Sequence, residues 1–219
     1  VRVAILNSGL ELSEEDKGLY NYSPKLQYQS WVENDPQSEW RDDSGYGTHL
    51  TTLLRENAPH AAIYMARVFD HRENLDKFQD QIAAAIRHAV DVWKVDIIVM
   101  PWGFSNTQHN PIYPAIKHAA SQDVIMLAAA SDTDIWPGIQ WPASDPHVIC
   151  VHSGSRNGKS SDFTPCAEEN RGIIVLGESI QSAWPPALGE PGNRKTLSST
   201  SCAVMLAAAI FAALLDYAR

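Results

Sequence analysis

The chain has 219 residues, of which 44% are hydrophobic and 20% are charged. This length and apolar content predict a folded α/β domain with a packed core, and they exclude a disordered chain. The formal net charge of −9 argues against nucleic acid or a membrane as a partner, because both favour a basic protein surface. No apolar run reaches the roughly 18 residues of a bilayer span. The longest, Ala203 to Leu215, predicts a buried helix.

The cysteines are too few and too scattered for a disulfide framework. Cys150, Cys166 and Cys202 allow at most one bridge, and none has the paired spacing of metal ligands, so we expect no metal and no cofactor. The chain starts at Val1 with no signal segment, which suggests a domain excised from a larger protein. Together with the cysteine usage, this favours the cytoplasm.

Strand-like and helix-like patterns alternate along the chain. Strands are expected at residues 1–6, 60–68, 96–100, 124–129, 147–151 and 173–176, and helices at 75–94, 112–121 and 202–217. This alternation predicts a mostly parallel sheet with helices on both faces. Since no repeat or linker interrupts it, we predict a single domain over residues 1–219.

Three segments break the alternation, at residues 11–45, 135–142 and 181–199. They carry five of the seven tryptophans, namely Trp31, Trp40, Trp136, Trp141 and Trp184. Ligands of parallel sheets bind outside the carboxyl ends of the strands, where such loops gather. The tryptophans therefore predict a lined cleft, although each of them alone is equally consistent with local packing.

Polar residues and small residues are concentrated in four segments, at 7–9, 44–49, 128–132 and 198–203. The last segment precedes the C-terminal helix, so a serine there would lie at the positive end of the helix dipole. That position suits a nucleophile, and it equally suits an N-cap.

The order of these segments resembles the catalytic domain of the subtilisin-like serine proteases, in particular intracellular fungal proteins with such a domain. Gly45-Tyr46-Gly47-Thr48-His49 stands where the family has His-Gly-Thr-His, and Thr200-Ser201-Cys202-Ala203 stands where it has Gly-Thr-Ser-Met-Ala. The other matching motifs lie at residues 3–9, 96–103, 128–132, 141–143 and 163. The resemblance implies a three-layer α/β subtilisin-like fold and the activity of a serine-type endopeptidase.

The resemblance also assigns the site. It places the nucleophile at Ser201, the acid position at Asn7, the base position at Tyr46 and the oxyanion position at Asp132. The substrate-binding segments it implies are Pro101-Trp102-Gly103 and Ala129-Ala130-Ser131. Pro101 lacks a main-chain donor that strand pairing with a peptide would use.

Three of the four catalytic positions carry residues that cannot perform the family's chemistry. A phenol, whose ordinary pKa is near 10, is a poor acceptor for the proton of Ser201. Asn7 cannot stabilise an imidazolium. An ionised Asp132 only accepts hydrogen bonds, and losing the oxyanion donor costs about 3 kcal/mol, a value that comes from a subtilisin.

We therefore predict a subtilisin-like domain that has lost proteolysis and acts by binding or scaffolding, with a peptide or other domains of its parent chain as partners. A second hypothesis is a non-hydrolytic enzyme of the isomerase or cyclase type, in which Tyr46, Asp132 and Ser201 act on a hydrophobic small molecule. A third is a residual serine endopeptidase with an unusual base.

Overall fold

A seven-stranded sheet forms the centre of the fold. The computed structural model describes residues 1–20, 25–33, 35, 40–105, 111–132, 138–166 and 172–219. All strand pairs in the sheet are parallel, in the order β2-β3-β1-β4-β5-β6-β7. The strands are β1 (Arg2–Asn7), β2 (Leu26–Ser30), β3 (Ala62–Arg67), β4 (Ile97–Met100), β5 (Ile125–Ala129), β6 (Ile149–Gly154) and β7 (Ile173–Leu176).

Helices cover both faces of the sheet, and a two-stranded antiparallel ribbon packs against one of them. The helices are α1 (Glu14–Tyr20), α2 (Tyr46–Asn57), α3 (Gln79–Asp91), α4 (Ile112–Ser121) and α5 (Thr200–Ala218). Helices α3 and α4 pack together on one face, and α2 and α5 pack together on the other. The ribbon consists of β8 (Ile180–Ala183) and β9 (Arg194–Leu197), with β8 against α2.

The central strand β1 divides the core into its two halves. Successive side chains of a strand point to opposite faces, so Ala4 and Leu6 join the core under α3 and α4, while Val3 and Ile5 join the core under α2 and α5. All four are fully buried. The expected three-layer α/β arrangement with a parallel sheet is therefore confirmed.

The differences from the predicted elements lie in the segments between the expected strands. Helix α1, strand β2 and the β8–β9 ribbon all fall in segments that we predicted to be irregular, and α2 begins inside the segment 44–49. The helix predicted at 75–94 starts as a 3-10 turn over Arg72–Phe78 and becomes α-helical only from Gln79.

Helix α5 is longer than predicted. Among the described helices it is long and apolar enough to cross a bilayer, but half of its most apolar stretch is buried inside the fold. Of the three cysteines, Cys150 and Cys202 are buried and Cys166 is exposed.

The expected cleft lined by tryptophans is not formed by the four that the structure describes; Trp136 lies outside the described residues. Trp31 packs on Trp93, and Trp40 stacks on Tyr28. Trp141 contacts Phe104, and Trp184 contacts Tyr46. The four tryptophans therefore lie in four separate places and not around one cleft. Each of these tryptophans therefore serves local packing, and only Trp184 contacts a predicted site residue.

Candidate active site

Three of the four predicted catalytic residues line one small cavity at the carboxyl edge of the sheet. Asn7 ends β1, Tyr46 begins α2 and Ser201 lies in the first turn of α5. Pro101 and Trp102, which directly follow β4, also line the cavity. Its interior volume is about 20 Å³, which is room for a single water molecule.

The hydroxyl of Ser201 donates its hydrogen bond to a main-chain carbonyl. Ser201 Oγ lies 2.9 Å from the carbonyl oxygen of Pro101, and the side chain is buried. No imidazole or carboxylate among the described residues forms a hydrogen bond with this hydroxyl. Chemically, the serine is held in place without a group that can take its proton.

Tyr46 is held by an aromatic contact and not by a hydrogen bond. Its ring packs edge-on against Trp184, with the ring centroids 5.9 Å apart, and the residue is 40% exposed. The indole of Trp184 also occupies the place where a side chain at Gly45 would begin, since a Cβ there would lie 2.4 Å from the ring. Gly45 has a φ of 82°, so both its backbone and its surroundings require glycine.

Asp42 joins the end of β1 to the start of α2. Its carboxylate accepts hydrogen bonds from Ser8 Oγ at 2.8 Å and from the backbone N–H groups of Gly45 and Thr48 at 3.0 and 2.7 Å. Ser8 in turn donates its backbone N–H to Asn7 Oδ1 at 2.7 Å. One buried carboxylate thus fixes the first turn of α2 relative to the strand that carries Asn7.

A buried arginine forms ion pairs and a hydrogen bond with residues around the same loop. Arg67, at the end of β3, pairs with Asp35 at 2.7 Å and with Asp43 at 2.8 Å, and it donates a short hydrogen bond to the Ser8 carbonyl. The Arg67 side chain is only 2% exposed, whereas that of Asp43 is 28% exposed. The charge of Arg67 is therefore compensated by two carboxylates inside the protein.

Asp132 does not line the cavity, because its carboxylate caps α5. Asp132 Oδ1 accepts the backbone N–H of Thr200 at 2.9 Å and the Thr200 hydroxyl at 3.0 Å. Ser199 Oγ accepts the N–H of Cys202 at 3.2 Å. A carboxylate at a helix N-terminus is favourable because it complements the helix dipole. The acidic residue thus has a structural role at the position where the family's asparagine donates to an oxyanion.

Comparisons with known proteins agree with this geometry. No protein-family model matches the chain. It is 26% identical over 212 residues to the thermostable alkaline protease of Halalkalibacterium halodurans, and 27% identical over 206 residues to subtilisin-like protease 2 of Plasmodium falciparum. These alignments cover 92% and 84% of this chain. The chain is thus similar in sequence to subtilisin-like proteases over most of its length.

Solved protease structures share the fold of this chain over nearly its full length. The prenylagaramide maturation protease PagA superposes with a TM-score of 0.76 at 22% identity, covering 99% of this chain and 75% of that one. The protease domain of PatA superposes with a TM-score of 0.77 at 23% identity, covering 99% and 79%. A lanthipeptide protease gives a TM-score of 0.76 at 19% identity, covering 97% and 72%.

The domain is only a part of the length of its sequence relatives. It spans 53% of the alkaline protease and 15% of the Plasmodium protein. These relatives come from a bacterium and from Plasmodium, so they give no support to the expected likeness to fungal proteins. Within the described ranges there is no group of three His, Cys, Asp or Glu side chains that could hold a metal ion.

The predicted substrate-binding segment after β4 is partly filled by the protein's own side chains. Trp102 is 1% exposed, and its indole N–H donates to the Leu6 carbonyl at 2.8 Å. Gln140 packs so closely on Gly103 that a Cβ at Gly103 would lie 2.6 Å from the Cβ of Gln140. Trp102 thus forms a buried wall of the cavity beside Ser201.

The second predicted substrate-binding segment leaves the end of β5. Ala129 is the last residue of the strand, and Ala130 donates its N–H to Val151 and accepts one from Gln140, both at 2.9 Å. Ser131 has a φ of 143°, a region that favours glycine. The motif that this segment resembles has glycine at this point, whereas here a serine adopts a conformation in which a side chain is strained.

We expect Ser131→Gly to stabilise the domain by about 1 kcal/mol, because it removes this strain. Among the described residues the Ser131 hydroxyl makes only one hydrogen bond, a 3.3 Å contact with the Asp132 carbonyl, so little stabilisation is lost. The melting temperature should rise by roughly 2–4 °C. Ser131→Ala is the control, since it removes the hydroxyl and keeps the Cβ; stabilisation of the same size in both variants would contradict the strain argument.

His49, the second histidine position of the family motif, faces away from Ser201. It is fully buried, and its Nε2 lies 3.1 Å from the carbonyl oxygen of Lys195. Its Nδ1 is buried with no hydrogen-bond partner among the described residues. Burial lowers the pKa of His49 to about 4, against the opposing effects of the Lys195 and Ile180 carbonyls. His49 is therefore a neutral packing residue and not a replacement base.

This shift predicts how stability depends on pH. The ordinary pKa of histidine is near 6.5, so between pH 6.5 and pH 4 the unfolded chain binds a proton that folded His49 does not. The contribution of His49 to the free energy of unfolding is fully present above pH 6.5. It is lost as the pH falls to 4, which lowers the free energy of unfolding by up to about 3 kcal/mol. We expect His49→Gln to flatten the slope of melting temperature against pH in this range. His60→Gln, at an exposed histidine, should leave the slope unchanged.

The roles of Asp42 and Trp184 in positioning the site were not predicted from the sequence. Asp42 is three residues before Gly45, and a buried carboxylate just ahead of a glycine and a helix start is a recognisable capping signal. Trp184 carried no such signal, because it reaches Tyr46 from a ribbon more than a hundred residues away along the chain.

Proposed function

We propose that this subtilase domain no longer hydrolyses peptides and that it binds an extended peptide segment in the groove beside its former active site. The proposal rests on one observation above the others. Ser201 Oγ is hydrogen-bonded to the Pro101 carbonyl at 2.9 Å, and Tyr46 stands where a base would be needed. Without a base, a serine hydroxyl is a weak nucleophile.

The oxyanion position supports the same conclusion. Asp132 directs its carboxylate at the N-terminal N–H of α5, where it adds negative charge close to Ser201. An oxyanion formed on attack by Ser201 would be repelled by this carboxylate, whereas a peptidase needs a donor there.

The binding part of the proposal rests on the groove next to the cavity. The backbone groups of Gly103, which is partly exposed, form no hydrogen bond with described residues, so they can pair with an extended chain. A groove of about 340 Å³ runs past them, lined among others by Arg72, Asp76 and Phe104. This groove is open, whereas the cavity at Ser201 is nearly closed.

The first experiment tests the loss of proteolysis. We expect a fluorophosphonate probe to leave Ser201 unlabelled under conditions that label an active subtilisin completely, and peptide substrates to remain intact. Ser201→Ala serves as the matched control. Labelling of Ser201 at one probe per chain, together with hydrolysis that disappears in Ser201→Ala, would show instead that the domain is a residual endopeptidase.

The second experiment tests peptide binding directly. Short peptides selected from an arrayed library should bind wild-type protein, and N-methylation of the amides on one edge of a bound peptide should abolish binding, while N-methylation on the other edge should not. The reason is that pairing with the backbone of Gly103 uses only one edge of a strand. Equal tolerance of N-methylation on both edges would contradict strand pairing at this site.

The geometry gives no support to the small-molecule enzyme that the sequence also suggested. Tyr46 and Ser201 share a cavity of about 20 Å³, and Asp132 does not line it. Pockets that enclose small organic ligands are usually 300 Å³ or larger.

A further inference from the structure

A cysteine and a histidine form a second nucleophile–base pair, away from Ser201. Cys150 and His152 are two residues apart on β6, so their side chains lie on the same face of the strand. The Cys150 Sγ lies 3.4 Å from His152 Nε2. Both residues are buried, with Cys150 5% and His152 0% exposed.

The histidine is oriented by a third group. His152 Nδ1 lies 3.1 Å from the carbonyl oxygen of Pro165. A carbonyl only accepts, so Nδ1 carries the hydrogen of the neutral ring, and Nε2 presents its lone pair to the thiol of Cys150. A nucleophile, a base within hydrogen-bond reach and a group that fixes the tautomer of that base are the arrangement that activates a nucleophile.

The cysteine of this pair lies at an opening in the fold, and the histidine is buried behind it. Cys150 lines a depression of about 370 Å³, together with the turn that contains Ser144 and Asp145 and with Gly172 at the start of β7. Glycine is required at 172, because its φ is 104° and a Cβ would lie 3.1 Å from Cys150 Cβ and 3.2 Å from His152 Cδ2. This depression shares no lining residue with the cavity at Ser201.

We propose that Cys150 is a modification site for small electrophiles of the α,β-unsaturated carbonyl class, with His152 as its base. In the reaction the Cys150 Sγ forms a bond to the β-carbon of the electrophile, and the thiol proton passes to His152 Nε2. The electrons of the carbon–carbon double bond move to give an enolate, and His152 returns the proton to its α-carbon. The product is a thioether, and the step needs no oxidant or reductant.

The other two cysteines provide internal controls in the same chain. Cys166 is exposed and should react as an ordinary surface thiol. Cys202 is buried in α5, where burial raises the pKa of its thiol to about 11, so it should react only when the domain opens.

The test is alkylation of the folded full chain with N-ethylmaleimide, followed at each cysteine by peptide mass mapping. We expect Cys150 to react much faster than Cys202 in the wild-type protein. His152→Gln, which keeps a polar side chain but cannot take the proton, should slow Cys150 by roughly 100-fold, the lower end of what a positioned base contributes. Cys166 should be unaffected. His118→Gln, at an exposed histidine, is the matched control and should change none of the rates.

Two results would overturn the proposal. One is a rate at Cys150 equal to that at Cys202 in the wild-type protein, because Cys150 would then be a core thiol that reacts only on unfolding. The other is an unchanged Cys150 rate in His152→Gln while Cys202 remains protected. If His152→Gln unfolds the domain, Cys202 becomes reactive and reports it. In that case the proposal is tested by the alkylation rates of Cys150 and Cys202 in the wild-type protein alone.

Discussion

The variant that combines Asn7→Asp, Tyr46→His and Asp132→Asn is expected to hydrolyse peptides, whereas the wild-type protein and the single and double variants are expected not to. Asn7, Tyr46 and Ser201 already line one cavity, so an imidazole at position 46 would lie between a carboxylate and the serine hydroxyl. The three substitutions must be combined because a triad acts as a unit.

The expected effect is large. Loss of a member of the triad lowers kcat by on the order of 10⁶-fold, a figure that comes from a subtilisin. The gain here should be smaller, because Pro101 and Trp102 still alter the substrate edge. Hydrolysis of a chromogenic peptide is the measurement, and the triple variant that also carries Ser201→Ala is the control. A folded triple variant with no measurable hydrolysis would place the loss of function in the substrate edge instead of the catalytic positions.

The single and double variants separate two effects of Asp132. Asp132→Asn alone removes the negative charge from the N-terminus of α5, so it should destabilise the domain by about 1 kcal/mol without giving activity. The double variant Asn7→Asp with Tyr46→His retains the carboxylate and should therefore remain inactive because the oxyanion is repelled.

Arg67→Ala is expected to destabilise the domain by about 3–5 kcal/mol, since it leaves the buried carboxylate of Asp35 without its partner. The Asp35 side chain is 6% exposed and that of Arg67 is 2% exposed, so water cannot replace the lost ion pair. The melting temperature should fall by roughly 10 °C, as followed by circular dichroism.

Arg41→Ala provides the matched control for this prediction. Arg41 pairs with the same Asp43 as Arg67, at 2.7 Å, but its side chain is 55% exposed. An exposed ion pair contributes about 0–1 kcal/mol, so this variant should be nearly neutral. If Arg41→Ala and Arg67→Ala lowered the free energy of unfolding equally, burial of the ion pair would not determine its contribution to stability.

The parallel sheet and its two helical layers were predictable because their signals are local. The buried strands read as short apolar runs, and the boundaries of α4 and β7 coincide with the predicted ones. Helix α2 was missed for a physical reason. It contains three threonines, which are poor helix formers, and its cap is the carboxylate of Asp42, which acts with Ser8 across the loop.

The site was only partly predictable from the sequence. The positions of Asn7, Tyr46 and Ser201 followed from the family motifs, and the structure places them around one cavity. The role of Asp132 could not be predicted, because its partner Thr200 lies 68 residues further along the chain. The narrow shape of the cavity could not be predicted either, because it depends on a hydrogen bond from the Trp102 indole to the main chain near the end of β1.

The carboxylate that caps α5 also determines which part of a peptide can lie beside Ser201. A bare helix N-terminus attracts anions, but here the N–H of Thr200 is already bonded to Asp132. A phosphate group or the free C-terminal carboxylate of a peptide would meet a like charge at this point. If the domain binds a peptide as proposed, we therefore expect uncharged or cationic stretches from the interior of a chain to be preferred beside Ser201 over chain ends and phosphorylated segments.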